Sequence, residues 1–376
     1  MTSRTPARGI ATACLAVVVL AGCGSTTTPE PSRVIGDAAS SPSPDVSVSP
    51  SPALSPSQSP DASPSPSAGP PTDPRIADLT GLATDPLRAH RLPIAVLIDD
   101  SIAARPQSGF NAASVVYQAP ADGGEDRYMM VFQDGDTSSI GPVRSARLYF
   151  VQWASELRAG IAHYGGDLRA RMALARDDTV RFTNIDALGA GGKAYHRISS
   201  RSAPHNGYTS TTALRAMLAK LGGPASVGPD LWWHPFVPPV AAATLPGPEH
   251  ISIPYRTGRI DYRFDPRLDL YRRSVGGAAQ VDPADGKAVT TRNVVVLFMS
   301  YKTDTKIEPH HSRPVIGNIG TGRALVFREG RLTQGTWSKA DETAPTHLLD
   351  AAGREIPLVT GRTFFQIVPL GTKVGF

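Results

Sequence analysis

The chain is nearly without cysteine: Cys14 and Cys23 are its only two. Both lie near the N-terminus, which excludes a disulfide framework, a thiol nucleophile and a Cys-ligated metal site in the rest of the chain. An apolar stretch long enough to span a bilayer is also missing. Ile10 to Ala21 is apolar but falls short of the ~20 residues a transmembrane helix needs. No block of basic residues stands out among the 38 Lys and Arg, so no nucleic-acid partner is read. No Ser sits in a G-x-S-x-G elbow, and no repeat of fixed period appears. Gly189–Lys193 faintly resembles a phosphate loop but lacks its spacing and the Ser or Thr after the Lys. "EPHHSR" (308–313) offers one Glu and two His, yet adjacent His side chains in an extended segment point to opposite faces. It reads as a solvated loop, and neither a metal nor a cofactor is expected.

The N-terminus carries a signal. Arg4 and Arg8 precede the short apolar run, which ends in Leu20-Ala21-Gly22-Cys23. Small residues before a Cys are what a lipoprotein signal peptidase accommodates, and the stretch closely resembles the bacterial lipobox. Residues 1–22 are therefore expected to be a signal peptide, with Cys23 as the lipidation site. Acyl chains on Cys23, at about 0.8 kcal/mol per buried CH2, would hold the protein to the lipid bilayer on the extracytoplasmic face of the cell membrane. Removing Arg4 and Arg8 from 38 basic residues leaves 36 against 33 acidic ones, a net charge of +3.

Residues 23–74 are mostly Ser, Pro, Thr and Ala. Such a segment buries too little apolar surface to offset its ordering entropy, so a disordered tether is expected. At roughly 3 Å per residue its upper reach is about 150 Å.

Folded sequence starts near Arg75. "LPIAVLIDD" (92–100), "SVVYQAP" (114–120) and "RYMMVFQD" (127–134) read as strands, and "SARLYFVQWASELRAG" (145–160) has helical spacing with Gly160 where a C-cap would sit. "GIAHYGG" (160–166) reads as a strand entering a turn. "LRARMALARD" and "TSTTALRAMLAKLGG" (209–223) read as further helices. Strands alternating with helices predict an α/β (or α+β) N-terminal domain over 75–237. A Pro-rich joint spans 238–247. Short strands broken by Gly, Asp and Pro predict a mostly β C-terminal domain over 248–376. Trp232 and Trp233 are expected to seal the contact between the two.

"LPIAVLIDDSIAARPQSGFNAASVVYQAPADGGEDRYMMVFQ", "IGPVRSARLYF", "AHYGG" and "APHNGYTS", followed by "RNVVVLF", "GTGRALVFREGRLTQGTWSK" and "GREIPLVTGRTFFQIVP", resemble the YerB-like bacterial lipoprotein family (DUF3048) in its N- and C-terminal domains. The likeness runs from about residue 91 to the end. This chain has Asp99-Asp100 where the family tends to have Asp-Asn, and Asp122 where it tends to have Glu. The resemblance implies location and architecture and brings no established activity.

The polar residues of the N-terminal domain fall in loops that follow strands or open helices. Asp99 closes the first strand and Arg105 follows it. Asp122 and Arg127 flank a Gly-Gly loop, and Arg144 and Arg147 open the first helix. His163 lies in a strand. Arg201, His205 and Asn206 stand in "RSAPHNGYTS" (201–210). Loops at the carboxyl ends of strands tend to form ligand crevices in α/β sheets. One shared cleft is expected, in which Arg105, Arg144 and Arg147 grip an anion and His163 or His205 moves a proton with Asp99 orienting it. The bland reading stands beside this one. It makes the Arg side chains partners of neighbouring carboxylates, His163 a satisfied core residue, and 201–210 the entry to a helix. The expected function is an accessory envelope lipoprotein binding a cell-wall polymer or an envelope protein through this cleft. The alternatives are a cell-wall or glycan-modifying enzyme using His205 or His163 with Asp99, and a scaffold without a small ligand. Whether the chain is an enzyme at all stays open in the sequence.

Overall fold

The run of apolar residues after Leu92 forms strand β1, Ile94–Asp99, with every residue buried. The computed structural model describes residues 73–176, 182–228, 231–240 and 250–376, all within one unit, Ala68–Phe376. The expected signal segment, Cys23, the tether through residue 72 and most of the 238–247 joint lie outside the described residues.

In chain order the main elements are β1, β2 (Val115–Pro120), β3 (Asp126–Phe132), α1 (Leu148–Glu156), β4 (Gly160–His163), α2 (Leu168–Leu174), β5 (Thr183–Asp186), α3 (Thr211–Lys220), β6 (His250–Tyr255), β7 (Gly258–Asp265), β8 (Leu270–Val275), β9 (Asn293–Asp304), β10 (Arg313–Gly317), β11 (Gly320–Arg328), β12 (Arg331–Lys339), β13 (His347–Leu349) and β14 (Thr363–Pro369). The N-terminal region is thus mixed α/β and the described C-terminal region mostly β.

The two regions share one sheet. Its order is β13-β12-β11-β9-β14-β2-β3-β1-β4-β5, with β10 added to the outer part of β9. The last strand, β14, lies parallel to β2 on one side and to β9 on the other. β1, β4 and β5 run parallel, and β3 is antiparallel to both β1 and β2. Six strands, β1, β2, β4, β5, β9 and β14, therefore point the same way. Their carboxyl ends make one edge of the molecule.

Both faces of the sheet are covered. On one, Leu97, Tyr117, Val131, Phe365 and Ile367 pack with Phe150, Trp153 and Leu157 of α1 and Ala170 and Leu174 of α2. Tyr117 of β2 stacks between Trp153 and Phe365, at ring distances of 5.4 and 4.8 Å. Such rings bury the largest apolar areas in a core, so this stack ties both regions to α1. On the other face Val96, Ile98, Met130, Val296 and Phe364 meet Leu214 and Leu218 of α3, together with Ile251, Ile253, Tyr262 and Tyr271 of the small sheet β6–β8. Residues on alternating positions of each strand supply the two faces.

Gly160 does not cap α1. The helix ends at Glu156 with Leu157 as its cap, and Arg158, at φ 51°, reverses the chain. Gly160 instead opens β4, where a Cβ would stand 3.1 Å from Leu218 of α3. Close approach of helix to sheet, not a left-handed turn, accounts for the glycine. Trp233 packs against the α1 side of the core, and Phe236–Val237 pairs with Leu358–Val359. The segment before the joint is thereby fastened to the C-terminal region.

Candidate functional site

β1 delivers Asp99 to the carboxyl edge. The following segments are laid across it by backbone pairing. Asp99 N–H donates to Pro142 O, Arg144 N–H to Leu97 O, and Val143 N–H to Gly207 O. This small ladder carries Arg144 from one side and His205 from the other onto the end of β1. The peptide bonds Arg105–Pro106, Gly141–Pro142 and Ala203–Pro204 are cis.

Asp99 is wholly buried. One carboxylate oxygen accepts the Ser101 N–H at 3.0 Å. The other lies 2.7 Å from His205 Nδ1 and 2.9 Å from Arg144 Nε. Burial pushes the Asp99 pKa up, but the Ser101 N–H, the Arg144 charge and the His205 bond outweigh it and hold the carboxyl below its ordinary range. The carboxylate so fixed makes Nδ1 of His205 the protonated nitrogen. In the neutral ring Nε2 carries the lone pair. Ser101 Oγ lies 3.2 Å from the same Nδ1, so it is no nucleophile lined up with Nε2.

Guanidiniums outnumber carboxylates here. Arg127, opposite Asp99 in the β1–β3 register, donates to Ser145 O at 2.7 Å. Arg201 donates to the carbonyls of Ala104 and Pro106, and Arg197 to Asn206 Oδ1 at 2.5 Å. Arg197 also stands over the Tyr164 ring at 5.4 Å. Among the described residues, Asp99 is the one carboxylate ion-paired with any of Arg127, Arg144, Arg197 and Arg201. Burial, opposed by Tyr149 and Asp99, lowers Arg127 below the usual guanidinium range. The Nε atom of Arg127 is buried and lacks a hydrogen-bond partner.

The expected residues divide into groups. Asp99, Arg127, Arg144 and His205 come together as described. Arg147 and Asp122 form an adjoining group: Arg147 pairs with Asp122 and lies 3.5 Å from Asp167. Ser145 joins the groups, because its hydroxyl also accepts from Arg147 Nη1 at 3.0 Å. Arg105 belongs to a different, inward network. It binds Asp100 at 2.9 Å and Thr257 O at 2.8 Å, while Gln107 and Gln118 also donate to Asp100. Gln118 in turn accepts from buried Arg273 at 2.7 Å. Arg105 therefore ties β1 to the β6–β7 turn. His163 is buried, with Nδ1 2.8 Å from Gly165 O and Nε2 2.7 Å from Asn184 Oδ1. Both nitrogens are occupied, so it holds the turn after β4. Arg201 and Asn206 act on the loops around His205, Arg201 as a strap and Asn206 as an acceptor.

Three contributors escaped the sequence reading. Ser145 is legible only as the small residue between two arginines. Glu308 and Arg313, read as part of a solvated loop, are engaged: Glu308 accepts the Leu168 N–H at 3.0 Å and pairs with Arg313, which reaches Asp122 at 3.2 Å. Their partners outside this segment, Leu168 and Asp122, lie more than a hundred residues away, so no local pattern marks those contacts. His310 and His311 remain exposed. No group of three or more His, Cys, Asp and Glu among the described residues is placed to hold a metal.

The fold belongs to a known class of chain. Residues 79–223 match the N-terminal domain, and residues 251–365 the C-terminal domain, of the family described as "Protein of unknown function (DUF3048)". The chain belongs to that family. It is similar to the Bacillus subtilis (strain 168) protein named "Putative lipoprotein YerB", with 27% identity over 300 residues that cover 78% of this chain and 86% of the relative. The crystal structure of YerB from Bacillus subtilis superposes with a TM-score of 0.69 at 26% identity, covering 80% of this chain and 99% of that one.

Proposed function

We propose that this protein is a membrane-anchored extracytoplasmic lipoprotein that binds an anionic cell-envelope polymer through the carboxyl edge of its sheet, in an accessory role. The anchor rests on Leu20-Ala21-Gly22-Cys23 and on the lipoprotein name of the relative. The binding role rests on one observation: Asp99, the carboxylate that pairs with Arg144 and His205, lies beside Arg127, whose buried Nε has no hydrogen-bond partner. A buried N–H left without a partner is costly, and a bound oxyanion would satisfy it. Arg197 and Arg201 extend the positive surface beyond Asp99, which favours a chain of repeated charges over a single small anion. An envelope protein presenting an acidic segment fits the same surface.

The test is retention of the full chain on purified cell wall and on isolated membranes, beside His205→Ala and Arg144→Ala, with circular dichroism to verify folding. Retention on wall that falls in both folded variants supports the reading. Equal retention of all three forms would sink it.

A second reading, a wall- or glycan-modifying enzyme, draws on the Asp99–His205 contact, which prepares Nε2 as a general base. It requires soluble products from wall incubated with the chain and their loss in Asp99→Asn. Wall left unaltered by the wild type over long incubation removes it.

A further inference from the structure

Beside the Asp99 cluster, the outer part of β9 and β10 form an arm whose tip lies against α2. The contact is built from ion pairs. Arg169 of α2 pairs with Asp304, Arg171 Nη2 lies 3.8 Å from Glu308, and Arg313 pairs with Glu308 and Asp122. Arg147, nearly buried, shares Asp122 with Arg313 and keeps its Nε without a hydrogen-bond partner. Beneath the tip is a cavity of about 30 Å³ lined in part by Leu148, Gln152, Ile307 and Ile316, enough for a water molecule or two. The arm tip is thus held by ion pairs around a small cavity with a largely apolar lining.

We propose that Arg169 and Arg171 of α2, with Arg313 of the arm and Arg147 beside it, form a second anion-binding site, in which the arm carboxylates Asp304 and Glu308 hold Arg169, Arg171 and Arg313 until a polyanion displaces them. The inference rests on the polymer-binding reading above and extends it to the neighbouring group. Three features support exchange. The arm carboxylates are partly exposed to solvent, where single ion pairs are weak and screened. A polyanion offers the same oxygen chemistry to the guanidiniums. And because Arg313 bridges Glu308 of the arm to Asp122, an oxyanion that takes Arg313 releases both carboxylates at once. Ser145, which accepts from both Arg127 and Arg147, places the two sites side by side. One ligand chain with successive charges would engage both.

The ligand is a polymer bearing phosphate or carboxylate groups, and two probes separate these sources: inorganic polyphosphate and poly-glutamate. Hydrogen exchange is followed on the full chain at the Leu168 amide, which Glu308 holds, and at the amides of 304–313. The bound probe is expected to speed exchange at these amides by about tenfold. Glu308→Gln, which removes the charge and keeps the shape, is expected to bind the same probe about fivefold more tightly. Asp304→Asn serves as the second variant if Glu308→Gln fails to fold. Probe binding that depends on Arg144 and His205, with unchanged exchange at the arm and unchanged affinity in Glu308→Gln, overturns the second site and leaves the first. Neither probe binding the wild type or the arm variants overturns both.

Discussion

Lys339 Nζ lies 2.7 Å from Glu156 Oε2, and neither side chain is more than 2% exposed. The pair joins β12 of the C-terminal region to the end of α1, with Tyr117 and Thr346 hydroxyls also donating to Glu156. Breaking such a buried pair strands a charge, and Lys339→Met is expected to cost about 3–5 kcal/mol. The double variant Lys339→Met, Glu156→Leu should lose clearly less than the sum of the two single changes. Urea unfolding of the four forms measures the coupling, and simple additivity would argue against it.

His234 should make the protein acid-sensitive. It is buried among Trp232, Trp233 and Phe365, with His347 nearby, and neither ring nitrogen has a hydrogen-bond partner. Burial first, and His347 second, push its pKa down to about 3. In the unfolded chain the ring takes a proton near pH 6.5, and in the fold it does not until about 3. Its contribution is therefore intact above pH 6.5 and is lost as pH falls through that window, by about 1.4 kcal/mol per pH unit. His234→Phe should flatten the difference in unfolding free energy between pH 7 and pH 4 relative to wild type. Parallel pH profiles for the two proteins would refute this.

Asp126 should act in the opposite sense. It accepts from Thr257 at the junction of β3 with the β6–β7 turn. Burial, and then the charge of Asp100, outweigh that bond and raise its pKa to about 7. The unfolded carboxyl ionises near 3.8, so stability falls as pH rises from there to about 7. Asp126→Asn keeps an acceptor for Thr257 and avoids the ionisation. It should gain stability relative to wild type at pH 8 and little at pH 4. A variant equally stable or weaker at pH 8 contradicts the assignment.

The N-terminal region should not fold alone. A chain ending at residue 240 lacks β14, which leaves β2 as an open edge, and lacks Phe365 beside Tyr117. An uncovered apolar edge strand invites association. The truncated chain should aggregate or show a far-UV spectrum without a cooperative thermal transition. A soluble, cooperatively melting fragment would show that the N-terminal region closes by itself.

Much of this architecture is legible in local pattern. The apolar runs at 94–99, 115–120 and 126–132 are strands, and helical spacing finds α1 and α3, because burial on a sheet face or helix stripe imposes those periods. Of the polar residues read from the sequence, Asp99, Arg127, Arg144 and His205 lie together, while Arg105 and His163 belong to other networks. What local pattern does not carry is pairing between distant segments. Nothing near residue 363 announces that it lies beside residue 115. The same holds for Arg105 and Thr257, and for Glu308 and Leu168, where one hydrogen bond joins residues far apart in the chain. His163 shows the remaining limit: a histidine in a strand is visible, but the two groups that face its nitrogens are not.

The central position of β14 bears on how the chain is made. Synthesis proceeds from the N-terminus, and the strand that fills the gap between β2 and β9, Thr363–Pro369, follows every other strand of the sheet. Until residues 363–369 have emerged, both neighbouring strands present unpaired backbone and uncovered aromatic rings. Closure of the sheet must therefore follow the appearance of residues 363–369, and the nascent protein depends until then on whatever keeps those two edges apart.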